Sequence, residues 1–144
     1  MKVFKQIVGV VHILIAAIVA IHTVIEPLYH TSTDANPYSS AWGIINPLTA
    51  IAIILGLIFG CCRMRRAGEN ASGPEFIAAN TLFYGFVFAG ILFFWNWFGI
   101  SDVGKEFTAV SADVRSIVWI FFDALFPLLS GAIGVHLLRS SAGE

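Results

Sequence analysis

The sequence predicts an all-α membrane protein: four transmembrane helices in an up-down bundle, both termini cytoplasmic, forming one integral membrane domain over residues 1–144. Three observations predict it. Apolar residues make up 58% of the 144 positions and charged residues only 12%, against about 45–50% and 25% in soluble domains. The apolar residues gather into four blocks, each long enough for a hydrocarbon core of about 30 Å, which takes roughly 17–25 helical residues. Basic residues then mark one set of block ends and avoid the other.

The first block, residues 7–25, follows Lys2 and Lys5. Its basic start, apolar centre and Ala20 also resemble a signal peptide, but the run exceeds the ~7–15 residues of a signal core, so it is read as a retained helix. A segment this apolar satisfies its backbone only as a helix, since barrel strands alternate and run about ten residues. Residues 27–40 (PLYHTSTDANPYSS) are rich in turn formers and make a surface loop. The second block, 44–60, opens with Asn46-Pro47, where proline is tolerated in a first turn. It closes with GLIFG, whose Gly56 and Gly60 form a close-packing GxxxG pair.

The third block, 76–100, has Phe83, Tyr84, Phe86, Phe88, Phe93, Phe94, Trp95, Trp97 and Phe98 on all sides. Such a helix lines no pore and suits lipid, pigment or another subunit. Asn80 and Tyr84, one turn apart, are expected to bond to a neighbouring helix. In the connection over 101–115, a short interfacial helix is expected at 104–112. The fourth block, 116–138, contains Asp123, then Pro127, which removes one backbone bond and kinks the helix. Ser130 and Gly134 follow as a second small-xxx-small pair.

Charge orients the bundle. Lys2, Lys5, Arg63, Arg65, Arg66 and Arg139 sit at the termini and the 61–75 loop, whereas no Lys or Arg occurs from Glu26 to Ile44. The remaining connection has only Lys105 and Arg115. The positive-inside rule puts both termini and the 61–75 loop in the cytoplasm, with Trp42, Trp95 and Trp97 as interfacial rings at the outer ends. The expected location is therefore the cytoplasmic membrane, multi-pass.

Several functions are excluded. Eight Lys and Arg against nine Asp and Glu give a net charge of −1, so no basic face exists for nucleic acid. No P-loop, GxGxxG, nucleophile elbow or zinc-protease motif occurs, and no catalytic residues are assigned. Cys61 and Cys62 are adjacent without a CxxC spacing, on the reducing side where a disulfide does not persist.

The residues that stand out are ionisable groups within spans, which are costly in hydrocarbon. These are His12, His22, Glu26, Asp123 and His136, with no intramembrane Lys or Arg to neutralise them. His22 and Glu26 are four apart and share a helix face. Pro27 is expected to end or kink that helix before His30. If the first and fourth helices are neighbours, Asp123, roughly 12 Å in from Arg115, approaches His22 and Glu26. The expected outcome is a carboxylate–imidazole pair that fixes packing. The sharper alternative is a copper, zinc or iron site built from His22, Glu26 and Asp123, and a third is a proton path. His12 and His136 are the remaining candidates, as ligands of haem b.

The sequence thus points to a non-catalytic accessory or structural subunit that packs laterally in a larger membrane complex, of membrane oxidase or monooxygenase type. The alternatives are a small redox, metal- or haem-binding membrane protein and, ranked below it, a small oligomeric transporter using Asp123. No cofactor is assigned; copper, iron, zinc and haem b are the alternatives to none. Expected partners are the bilayer, other transmembrane subunits or further copies of this chain.

Overall fold

The structure, a computed structural model, describes residues 2–33, 36–68, 71–100 and 111–143. These form α1 (Lys2–Tyr29), α2 (Trp42–Arg66), α3 (Gly73–Ile100) and α4 (Ala112–Ala142), with no strand among the described residues. All four are long and apolar enough to cross a membrane. The helix expected at 104–112 falls largely on residues 101–110, outside the described residues; α4 begins at Ala112.

Each helix extends beyond its apolar block because the flanking polar residues also suit helix ends. Arg63, Arg65 and Arg66 occupy the last turn of α2, where cations complement the dipole, and the Ala67 amide closes that turn on the Arg63 carbonyl at 2.9 Å. Ser111 caps α4, its hydroxyl accepting from the Val114 amide at 3.4 Å, with Asp113 in the first turn. As expected, α1 stops before His30, although Pro27 does not itself end it. The helix runs through Pro27 to Tyr29, and the His30 amide still reaches the Glu26 carbonyl at 2.9 Å. Proline withdraws only its own amide from the ladder, and its fixed φ is helical.

The packing is a ring of antiparallel neighbours. α1 lies most extensively on α4 and α2 on α3, with α3–α4 and α1–α2 contacts closing the ring. α1 and α3 occupy opposite corners and meet through side chains such as His12 and Phe86, whose rings are 6.0 Å apart, edge to face. Both chain ends and the α2–α3 connection therefore share one end of the bundle, called here the terminal end. The other two connections share the loop end.

Glycines set the spacing in the terminal half. A Cβ on Gly134 would lie 2.8 Å from the Gly9 carbonyl oxygen and 2.7 Å from Ile13, and one on Gly9 would lie 3.0 Å from the Gly134 carbonyl oxygen. At this crossing the α1 and α4 backbones touch. Gly56 leaves the space that the Phe86 ring fills, and Gly60 faces the Phe83 backbone, 3.4 Å from where a Cβ would sit. The GLIFG pair thus meets α3 of the same chain. Ser130 meets α1 beside Gly134, at His12.

The aromatic residues of α3 divide between inside and outside. Phe86 and Phe93 are fully buried, while Tyr84, Phe88, Trp95 and Phe98 are exposed. Phe93 is the hub of the loop-end core: its ring lies 5.2 Å from Trp97, 5.2 Å from Phe122 and 5.7 Å from Trp119. Asn80 does not reach a neighbouring helix; its amide donates to the Phe76 carbonyl of its own helix at 2.8 Å. Tyr84 is exposed, its ring against Phe83 at 5.2 Å. One turn of spacing aligned the two residues along α3 but on a face that no other helix covers.

Candidate functional site: an acidic aromatic cavity at the loop end

The loop between α1 and α2 folds back onto the end of α1, and a carboxylate holds it there. Glu26 Oε1 accepts from the Ser39 amide at 2.8 Å and Oε2 from the Trp42 indole N–H at 2.9 Å. His22, one turn earlier, reaches the same loop: its Nε2 lies 3.2 Å from Ser39 Oγ, and its ring packs edge-on to Trp42 at 4.7 Å. The Tyr29 hydroxyl, which donates to Ser39 Oγ at 3.1 Å, closes the cluster. His22 and Glu26 therefore converge on Ser39 and Trp42.

Asp123 is 7% exposed, and its Oδ1 is buried without a hydrogen-bond partner. It lines a cavity of about 800 Å³ that Glu26 also lines, whereas His22 is not among the described lining residues. The separation has a geometric cause. At 100° per residue, His22 lies roughly 140° round α1 from Gly9, the residue that touches α4, so its ring turns towards α2 and the loop. Among the described residues, no three His, Cys, Asp or Glu side chains gather into a metal-holding group.

The cavity walls are aromatic and polar together. Trp42, Trp97 and Trp119 supply indole surface, and Asn46 and Ser116 supply polar groups. Glu26 and Asp123 are its acids, and no Lys or Arg occurs among the described lining residues. Trp119 stands four residues before Asp123 and Asn46 four after Trp42, so each pair shares a helix face. That spacing was the available signal for Trp119 and Asn46. Nothing in the sequence signalled Ser39, whose role depends on the loop reversing.

Prolines bear on the same region. Pro27, Pro47 and Pro127 each lie inside a helix, and each withdraws the amide that would bond the carbonyl four residues earlier. Those carbonyls belong to Thr23, Gly43 and Asp123, and all three residues line the cavity.

The two remaining histidines lie elsewhere. His12 is fully buried against Ser130: its Nδ1 is 2.8 Å from Ser130 Oγ, which itself donates to the His12 carbonyl at 3.0 Å. The hydroxyl has one proton and gives it to the carbonyl. The imidazole must therefore donate from Nδ1, which leaves Nε2 as a buried lone pair without a partner. His136 lines a second cavity at the terminal end. It lies six residues beyond Ser130 on α4, about 9 Å along the axis, so the two rings are not at one level as axial ligands of one haem would be.

The Ser39 hydroxyl stands beside the His22 imidazole, in the cluster with Tyr29 that holds the loop on α1. The arrangement offers a part-open aromatic space with two acidic side chains, one engaged in hydrogen bonds and the other with a buried oxygen that has no hydrogen-bond partner. No protein-family model matches the chain, and neither a curated protein nor a solved structure matches it.

Proposed function

We propose that this is a non-catalytic integral protein of the cytoplasmic membrane, with both termini cytoplasmic, whose outer-leaflet cavity binds a small organic cation. The observation that carries this reading is the buried Asp123 carboxylate, its Oδ1 without a hydrogen-bond partner, in the lining of a cavity walled by three indoles. The volume of about 800 Å³ falls in the usual range for small-molecule sites. Indole faces and a desolvated carboxylate both favour a cation of low hydration, such as a quaternary ammonium or phosphonium. Glu26 is engaged by Ser39 and Trp42, so it shapes the wall, and Asp123 supplies the counter-charge. A membrane location gives such an amphipathic cation a direct route from the headgroup region.

The experiment is titration of the purified protein in mild detergent with tetraphenylphosphonium, followed by tryptophan fluorescence and by calorimetry. Saturable one-to-one binding that falls at least tenfold in Asp123→Asn, with the variant folded by circular dichroism, supports the reading. Equal binding by wild type and Asp123→Asn, or no binding by either, overturns it.

A second reading, the laterally packed accessory subunit, is favoured by one feature. Phe88 of α3 and Phe121 of α4, rings 6.2 Å apart, stand exposed beside Tyr84 and Trp95. Their apolar band runs across two helices and would suit a neighbouring transmembrane surface. Co-migration with a larger membrane complex in mild detergent, lost in Phe88→Ala/Phe121→Ala, tests it.

A further inference from the structure

The terminal end holds a second cavity, of about 460 Å³, that takes no part in cation binding at the loop end. Its described lining carries Lys5, Arg63 and Arg66 against a single carboxylate, Glu75. That carboxylate is committed. Arg63 Nε and Nη2 donate to its two oxygens, both at 3.0 Å, a bidentate pair that joins α2 to α3 and fixes the guanidinium in place. Lys5 is 8% exposed, so its cation lies within the wall. Ser140 gives its own proton to the Leu137 carbonyl at 3.0 Å and can only accept. The donors facing this space are therefore predominantly cationic. The same lining has an apolar part, with Phe4 and Phe59 in ring contact at 6.1 Å.

Cations and an aromatic wall in one recess, at the end of helices that are long and apolar enough to cross a membrane, match the two chemistries of one lipid molecule. We infer that this cavity binds the phosphate headgroup of an anionic phospholipid, with Arg66 against the phosphate and an acyl chain along Phe4 and Phe59. A basic recess between helices at the headgroup level is the usual architecture for such recognition. A free phosphate would use the cations and leave the aromatic wall idle. The inference rests on this end alone and stands or falls independently of the cation cavity.

The test is native mass spectrometry of the full chain released from mixed phosphatidylglycerol and phosphatidylcholine micelles, with lipid adducts counted. Wild type should retain phosphatidylglycerol at least fivefold over phosphatidylcholine. Arg66→Gln, an exposed residue whose loss leaves the Arg63–Glu75 pair intact, should remove most of that preference. Arg139→Gln, which deletes a cation from the same end but outside the described lining, should keep it. Equal retention of the two lipids overturns the inference. So does an equal loss in both variants, which would indicate general charge attraction. Complete displacement of phosphatidylglycerol by millimolar inorganic phosphate would overturn it as well, by assigning the site to a soluble phosphate.

Discussion

Two glycines three residues apart on α4 give a self-controlled test of the helix spacing. A Cβ at Gly131 would meet nothing within 4 Å, whereas one at Gly134 would sit 2.8 Å from the Gly9 carbonyl oxygen and 2.7 Å from Ile13 Cγ1. Alanine raises helix propensity equally at both positions, by up to ~1 kcal/mol, so that contribution cancels in the comparison. What remains is overpacking. The nearest neighbour of Gly134 is backbone, which cannot rotate away, so α1 and α4 must separate by several tenths of an ångström. The contacts of the crossing, including the His12–Ser130 bonds one turn away, are then stretched. Core insertions of this kind typically cost ~1–3 kcal/mol, a 5- to 150-fold difference in the unfolding equilibrium. Reversible unfolding in mixed SDS and mild-detergent micelles, followed by tryptophan fluorescence, measures the difference directly. Gly134→Ala should unfold at a lower SDS fraction than wild type, and Gly131→Ala at an equal or higher one. If the two variants unfold together, the backbones of α1 and α4 do not touch, and the packing account is wrong.

Ser130→Ala removes both hydrogen bonds to His12 and leaves one ring N–H buried without a partner in either tautomer, so it should cost ~1–3 kcal/mol in the same assay; Ser130→Thr, which keeps the hydroxyl, should recover most of it, and failure to do so would sink the tautomer argument. Glu26→Gln replaces one of two acceptors with an amide that faces a donor, so the 30–41 loop should loosen; limited proteolysis within it should accelerate several-fold, and an unchanged rate would remove Glu26 as the loop's anchor. For orientation, Ser32→Cys and Ser111→Cys should react with an impermeant thiol reagent from outside, in a background lacking Cys61 and Cys62. Gly68→Cys is the inner reporter, because neighbouring Ala67 is only 5% exposed; outside labelling of Gly68→Cys would reverse the topology.

The four long apolar helices were legible from the length and composition of their blocks, and the glycine and serine pairs because close backbone approach needs small residues. The sequence could not show which surface each pair meets: Gly56 and Gly60 would read the same against α3 of this chain or against another subunit. Depth along an axis follows from counting residues, which placed His22, Glu26 and Asp123 in one half of the bundle. Their azimuth depends on which helices are neighbours and at what rotation. His22 therefore faces Ser39 and Trp42, while Asp123 faces the cavity. Helix ends were underestimated for a related reason. Lys2, Lys5 and the arginines after Gly60 end the apolar pattern without ending the helix, because long basic side chains extend towards water while their backbone stays helical.

The three internal prolines all lie on the loop-end side of the Gly9–Gly134 crossing. Pro27, Pro47 and Pro127 each delete a backbone rung on the loop-end side, in three of four helices. The tight Gly9–Gly134 contact lies nearer the terminal end, and Gly56–Phe86 near the middle. The bundle is therefore built like a collet, clamped at its base with compliant jaws above. On this account the loop-end space should yield more readily than the base. Amide exchange should be graded accordingly, slow around His12 and Gly134 and faster from Thr23, Gly43 and Asp123 outward.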